Sequence, residues 1–241
     1  MTRYLVAAAL AIAAGPALAQ DGGWSFKITP YLFTPKSEIG VVTPRGPVSA
    51  ELKFSDALES LEFAFMGAVE ANKGKWSIVT DLMYTDLGAS QSYAPGGLFG
   101  GVNISSKITA LTAIGTYRVF DDGASSAELG GGLRAWWFES STELTAGTLP
   151  AESFVIKDDW VDPILVLRAR TDFSDKMFGS LYLDAGGFGI GSDQTYQAIL
   201  GVGYELNENW TLLGGLRYID VNRDETDFTQ TGLSIGASYR F

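Results

Sequence analysis

Cysteine and histidine are both absent from the 241 residues. Without cysteine there is no disulfide framework, no thiolate metal site and no thiol nucleophile. Without histidine the Ser-His and Asp-His arrangements of hydrolytic catalysis are excluded. Beyond residue 19 no uncharged apolar run approaches the roughly 20 residues that a transmembrane helix needs, so any membrane span must be built of strands. Charged residues make up only 19% of the chain, below the usual share of about a quarter. The basic ones are scarcer still, 17 against 28 acidic for a formal charge of −11. That balance works against nucleic acid as a partner, because phosphate contacts need clustered Lys and Arg.

What the chain has instead is glycine, 29 residues, and aromatics at 12%. Its first 19 residues read as a secretory signal: Arg3 is the charged n-region, Tyr4 to Ala14 the apolar run, and Ala17-Leu18-Ala19 the cleavage motif before Gln20. Two segments are therefore expected, a signal peptide at 1–19 and one exported domain at 20–241.

The last ten residues set the pattern for that domain. Leu233, Ile235, Ala237, Tyr239 and Phe241 fall on one face of an extended strand, and Gly232, Ser234, Gly236, Ser238 and Arg240 on the other. Similar alternation recurs at about 24–40, 61–72, 76–90, 105–120, 126–140, 158–173, 177–190, 193–206 and 210–222. With 229–241 that makes ten segments. The short polar links Asn72 to Lys75, Asp121 to Ser125, Ser174 to Lys176 and Asn207 to Asn209 are hairpin turns. The intervening links, Val41 to Ser60, Gln91 to Ile104, Ser141 to Lys157 and Arg223 to Phe228, are longer, with Gly189 to Ser192 a short exception. The predicted fold is all-β, a transmembrane antiparallel up-and-down barrel of ten strands, with eight as the alternative. Short turns face the periplasm and longer loops the outside, and the address is the bacterial outer membrane. Pro44-Arg45-Gly46-Pro47 predicts a tight reversal that extends the first strand into a projecting hairpin. Asp56-Ala57-Leu58-Glu59 has capping-box spacing for one helical turn, with an irregular loop as the alternative.

Aromatic positions choose this reading over a soluble barrel. Trp24, Trp76 and Trp210 open rising strands, Phe173 and Phe241 end descending ones, and Trp136, Trp137 and Trp160 sit near the far ends. Two interfacial girdles are expected from them. The lipid face then includes Phe63, Phe65, Val69, Ile78, Leu82, Tyr84, Leu111, Leu129, Leu133, Leu165, Leu183, Leu200, Val202, Leu212 and Leu216. The lumen receives Lys27, Arg118, Arg134, Arg168, Arg170, Arg217 and Arg240 together with Glu62, Glu70, Asp81, Glu128, Asp162, Asp172, Asp184 and Glu205. Charges of both signs in a narrow barrel are expected to persist as an ion-pair network, with a hydrated conduit as the alternative. Arg118 and Glu128 should face each other across the Asp121–Ser125 turn.

No catalytic constellation, metal site or cofactor is expected. Glu70 and Asp81, on inward faces of adjacent strands, are the one carboxylate pair considered for acid and base work. The acidic groups Asp158-Asp159 with Asp162, and Asp220, Asp224, Glu225 and Asp227, lack calcium-loop spacing. They are read as solvated rim charge able to bridge divalent ions to lipopolysaccharide. Gly130-Gly131-Gly132 and Gly186-Gly187 lie inside predicted strands and are read as room for a bulky lumen neighbour or for strong curvature.

Ser234-x-Gly236-x-x-Tyr239-x-Phe241 resembles the carboxyl-terminal signal read by the barrel-assembly machinery, with Gly236, Tyr239 and Phe241 as the recognised residues. The run Val69-Glu70-Ala71-x-x-Gly74-x-Trp76 to Asp81-Leu82-x-Tyr84-x-x-Leu87-Gly88 is similar to a hairpin of small proteobacterial outer-membrane proteins of the opacity-protein-like group. The resemblance implies a monomeric barrel inserted by that machinery, with outer-membrane lipid and lipopolysaccharide as surroundings. It brings no activity with it. A structural or surface-interaction barrel is the leading expectation, followed by a low-conductance channel for small solutes and by lateral passage of a small apolar ligand.

Overall fold

The computed structural model describes residues 23–43, 46–53, 65–93, 96–223 and 226–241. The signal segment, the helical turn proposed at Asp56–Glu59, and Glu62, Phe63, Asp224 and Glu225 lie outside these residues. The strands are β1 (Ser25–Thr43), β2 (Gly46–Lys53), β3 (Phe65–Lys73), β4 (Trp76–Ser92), β5 (Phe99–Asp121), β6 (Ser125–Ala146), β7 (Glu152–Asp172), β8 (Met177–Gly186), β9 (Gln194–Glu205), β10 (Trp210–Arg223) and β11 (Thr226–Arg240). Each pairs antiparallel with its sequence neighbour from β3 to β11, and β1 pairs with β11 from Lys27–Arg240 to Val41–Thr226. The sheet is thereby closed, and a closed sheet leaves no edge for lipid to meet.

Among the described residues, eleven strands occupy ten positions in the ring. Both β2 and β3 lie on the same side of β1, β2 against Lys36–Thr43 and β3 against Ser25–Tyr31. The projecting hairpin expected around Pro44–Pro47 is seen in the pairing of β1 with β2 up to Thr43 and Gly46, while residues 44 and 45 lie outside the described residues. One strand position is thus filled by two pieces of chain, and the closure stays even.

Membrane thickness can be read from the outward aromatics. Trp76 and Tyr84 on β4, Tyr204 and Tyr196 on β9, and Trp210 and Tyr218 on β10 each stand eight residues apart on the outward face. Eight steps of about 3.3 Å make roughly 26 Å along a strand, the span of a tilted transmembrane strand. The three tyrosine hydroxyls all bond toward the loop side, Tyr84 to Asp86, Tyr196 to Gln194 and Tyr218 to Asp220. An aromatic ring in lipid with its hydroxyl reaching water marks an interface. The ladder row that starts at Trp76 passes through Tyr117, Leu129, Leu167, Leu183 and Ala198 to reach Tyr218. A row that climbs from one interface to the other shows the strand tilt that closure requires.

Three sequence expectations are corrected. First, Trp136 and Trp160 are not girdle residues: they are 1% and 6% exposed and point inward, while Trp137 is 47% exposed and points out. Adjacent residues on a strand face opposite ways, so only one of the Trp136-Trp137 pair can meet lipid. Second, the long outer links are mostly strand. Residues 99–104, 141–146 and 152–157 continue β5, β6 and β7 upward, which leaves Gly147–Ala151 as the β6–β7 connection. Third, β8 stops at Gly186, and Gly187 lies in the turn with φ +82°, a left-handed conformation suited to glycine. Gly130 and Gly132 remain in β6, where an added Cβ would overlap the β5 backbone at Gly115 and Ala113. Of the two readings offered for these glycines, close strand approach is the one the geometry supports.

Candidate functional site: the barrel interior

The inward face is stratified. Nearest the periplasmic turns is an ion-paired layer. One oxygen of Glu70 (β3) receives Lys27 Nζ at 2.9 Å and Arg168 Nη2 at 2.9 Å. Glu128 (β6) receives the other arm of Arg168 at 3.1 Å and the Thr116 hydroxyl at 2.7 Å. Arg118 and Glu128 are register partners across the turn, but a bulge follows Arg118. Its guanidinium reaches Asp121 at 3.1 Å and stays 3.9 Å from Glu128. Arg170 bridges Asp172 and Glu205, both at 2.8 Å, and lies 3.5 Å over the Phe178 ring. A Cβ on Gly203 would overlap that ring, so the glycine makes the stack possible.

These side chains line one wall of a cavity of about 760 Å³ whose other wall includes Gly201, Gly215, Gly236 and Ser238. The turn residues Gly123 and Ala124 and the side chain of Arg240 are also among its lining. It therefore opens toward the periplasm.

Its inner end is a belt of hydrogen bonds. The Tyr31 hydroxyl donates to both oxygens of Asp81 at 2.8 and 3.0 Å and accepts from Arg217 Nη1 at 2.7 Å. Arg217 also donates to the Gln197 oxygen at 2.7 and 3.1 Å, and Gln197 donates to Asp184 at 3.3 Å. Asp184 holds Arg134 through both carboxylate oxygens, and Arg134 Nε reaches the Thr112 hydroxyl at 3.0 Å. Thr112 is in turn the register partner of Asp81. The circuit returns to its starting strand after passing β1, β10, β9, β8, β6 and β5, and it carries two guanidinium groups against two carboxylates.

Above the belt the lumen is mainly apolar, with Gln230 bonded to Ser37 and Thr85 among the hydrophobic side chains. Phe33, Met66, Met83, Leu87, Ile108, Trp136, Phe138, Trp160, Ile219, Val221 and Phe228 form one buried cluster. Trp136 stacks on Trp160 at 6.0 Å and meets Phe228 edge-on at 5.3 Å, while Phe138 stacks on Phe228 at 6.1 Å. At the boundary lies Asp162. It accepts from Trp136 Nε1 at 2.9 Å, Trp160 Nε1 at 3.1 Å, the Ser192 amide at 2.6 Å and the Ser192 hydroxyl at 2.9 Å. Four donors satisfy a buried carboxylate without a cation bonded to it. They also fasten the β8–β9 turn to β7. Arg223 clasps the same turn from above, donating to Asp158 at 2.8 Å and to the Gly191 carbonyl, with its guanidinium 4.9 Å over Trp160.

The inward charged residues therefore divide by level. Lys27, Glu70, Arg118, Glu128, Arg168 and Arg170 lie in the lower layer; Asp81, Arg134, Asp184 and Arg217 lie in the belt; Asp162 lies under the plug. The upper half of the lumen is filled mainly by apolar side chains, with Gln230, Ser37 and Thr85 bonded among them, and the Arg223–Asp158 pair lies above this layer. Glu70 and Asp81 sit in different layers and are bonded to different partners, so they do not form an acid and base pair. Sequence reading missed Tyr31, Thr112 and Gln197, because they are neutral and their inward parity was the only signal. At the seam, Phe241 exchanges two backbone hydrogen bonds with Phe26 at 3.2 and 3.0 Å, and their rings stack at 6.3 Å. Tyr239 packs on Trp210 at 4.9 Å, and Gly236 lies where a Cβ would crowd Tyr31 and the Pro30 carbonyl.

Comparison with known proteins fits this architecture. The sequence model of the Opacity family porin proteins matches residues 188–241, the last three strands with the turn before them. Among solved structures, the outer membrane protease OmpT from Escherichia coli is 11% identical with a TM-score of 0.56, over 90% of this chain and 96% of that one. The chain is a bacterial outer-membrane β-barrel. Other barrels with similarity to it are Ail, the attachment invasion locus protein of Yersinia pestis (11% identical, TM-score 0.41, 91% and 99% covered), and the translocator domain of the autotransporter NalP from Neisseria meningitidis (14%, 0.42, 92% and 90%). A search of curated protein sequences returns no match. The likeness of this outer-membrane barrel to OmpT is one of fold.

Proposed function

We propose that this outer-membrane barrel is a sealed, non-catalytic scaffold that presents its outer rim for surface interaction and does not conduct solutes through its lumen. The observation that carries the reading is the pair of seals in series, the belt from Asp81 to Thr112 and the apolar cluster around Trp136 and Phe228. Water and ions would have to break the almost fully buried Arg134–Asp184 ion pair and then cross the packed cluster above it. The tall β5–β6–β7 wall supports a role at the rim, because it extends well beyond Trp137 on the outer side. A non-catalytic role is supported by the engagement of Glu70 and Asp81 in separate bonded groups.

Planar-bilayer recording with the full mature chain tests the proposal. A silent bilayer is the expected result at all salt concentrations. Stable, salt-dependent single-channel steps would overturn the reading in favour of a small-solute channel. Uptake of a small apolar probe, detected by quenching of the buried Trp136 and Trp160, would overturn it in favour of lateral passage.

A further inference from the structure

The outward face of the tall wall carries one row of alternating charge. Asp86 on β4 is the register partner of Lys107 on β5, Lys107 of Glu139 on β6, and Glu139 of Lys157 on β7. All four share the outward parity of Tyr84 and Trp137, and Glu139 is the first outward residue above Trp137 on its strand. The row thus begins just beyond the outer aromatic level and climbs with the strand tilt. Lys107 approaches Asp86 at 3.8 Å and Lys157 approaches Glu139 at 2.8 Å.

We propose that this row docks the phosphorylated glycolipid of the outer leaflet, lipopolysaccharide, with Lys107 and Lys157 as phosphate contacts and Asp86 and Glu139 as ligands for bridging divalent cations. Position, charge and an unmet hydrogen bond support it. The row stands on the lipid-facing side of the wall, where the headgroups begin. On a chain of net charge −11, the row places two outward cations, Lys107 and Lys157, above the aromatic level. Each of these two ammonium groups has three donors, and its carboxylate neighbour occupies only part of them. The two lysines are two strands apart, about 9.5 Å, a separation suited to phosphates on different sugars of one glycolipid. Asp86 Oδ1 is buried and has no hydrogen-bond partner, which costs free energy unless a cation or donor arrives. A hard divalent ion takes carboxylate and phosphate oxygens together, so both signs of the row have a place in the same complex.

The test uses the full mature barrel folded in detergent and titrated with purified deep-rough lipopolysaccharide in the presence of magnesium, with binding read from native-gel mobility. Wild-type protein is expected to bind, and Lys107→Gln with Lys157→Gln to weaken binding about tenfold, while Lys75→Gln on the periplasmic turn leaves it unchanged. Undiminished binding by the double glutamine variant overturns the proposal. Should that variant fail to show the heat-dependent gel shift of a folded barrel, Lys107→Arg with Lys157→Arg keeps the charge and is expected to bind as wild type. The wild-type protein supplies an arm that needs no variant: dephosphorylated lipid A and chelation by EDTA should each weaken the complex. Equal binding of the dephosphorylated lipid would show an acyl-chain contact alone and sink the assignment. Displacement by inorganic phosphate at matched concentration would identify a free-anion site and sink it as well.

Discussion

Arg134 lies directly opposite Asp162 in the β6–β7 register, yet its guanidinium is bound by Asp184 on β8, and Asp162 accepts from two indoles and Ser192 instead. Register partners in a tilted, closed sheet need not be bonding partners, because long side chains reach across the lumen to wherever desolvation is best offset. Arg134–Asp184 is the buried ion pair on which the belt turns. Asp184→Leu leaves Arg134 charged and unpaired, and the expected cost is about 3–5 kcal/mol. Adding Arg134→Met should recover most of it. Denaturant unfolding in detergent gives both midpoints, and equal losses in the single and double variants would dissociate the two residues.

Two seals in series make a specific conductance prediction. Trp136→Ala opens the apolar layer and Arg217→Ala opens the belt, but each leaves the other barrier intact. Single variants are expected to remain silent in planar bilayers and the double variant to give small steps. The tryptophan variant should also lose about 3–5 kcal/mol of stability, as for other large-to-small changes in a packed core. Steps from either single variant would mean that only one of the two layers excludes ions.

Two glycines on adjacent strands should respond oppositely to alanine. An added Cβ at Gly203 overlaps the Phe178 ring beneath Arg170, whereas at Gly214 it meets nothing within 4 Å. Gly203→Ala is expected to cost about 1–3 kcal/mol through overpacking, and Gly214→Ala to stay within about 0.5 kcal/mol. Unfolding midpoints that do not differ would mean that Phe178 relaxes freely.

Strand parity was legible throughout, because a period of two survives even where composition is bland. Leu212, Leu216 and Leu200 face outward as their alternation demands, and Arg217, the residue after Leu216, faces inward. Trp136 and Trp160 depart from the girdle expectation because residue type outweighed parity there, for Trp136 follows Arg134 by two residues and Trp160 precedes Asp162 by two, whereas Trp137 faces outward as expected. The same period ran through Glu152, Phe154 and Ile156, so the extension of β7 was readable there too. What no alternation could reveal was the apolar plug. In the upper half apolar and polar residues occur on both strand faces, Phe33 and Thr85 inward, Leu32 and Lys107 outward, and only closure of the ring decides which face meets lipid. The belt was hidden for another reason: Tyr31, Thr112 and Gln197 belong to it through contacts between strands distant in sequence.

Acid sensitivity at the periplasmic end can be assigned to one turn. The Asp121 carboxylate accepts from the Gly123 amide and from Arg118, and these bonds hold its pKa below the usual aspartate value. A depressed acid pKa contributes stability that is present above the unfolded value and is lost as pH falls through the folded one. The window therefore lies below about pH 4. Asp121 is exposed, so the effect is small. The acid limb of the unfolding midpoint against pH should be shallower in Asp121→Asn than in wild type, and superimposable curves would exclude this contribution. Glu139, held below the ordinary glutamate range by its hydrogen bond from Lys157, should behave in the same way at the outer end.

Phe241 closes the seam, and the recognition role proposed for it can be tested separately. Its backbone exchanges two hydrogen bonds with Phe26 while its ring stacks on Phe26 and touches Tyr239. Deleting the residue removes bonds and ring together, whereas Phe241→Ala keeps the backbone seam. If the ring serves the assembly machinery, Phe241→Ala refolded in detergent should keep its unfolding midpoint to within about 1 kcal/mol, the range of a partly exposed aromatic contact, yet yield markedly less folded barrel in cells. Heat-dependent gel mobility measures the folded fraction in both settings. Equal folded yields in cells for alanine variant and wild type would leave Phe241 with the seam alone. A large loss of stability in vitro would show that the ring, not recognition, limits the yield.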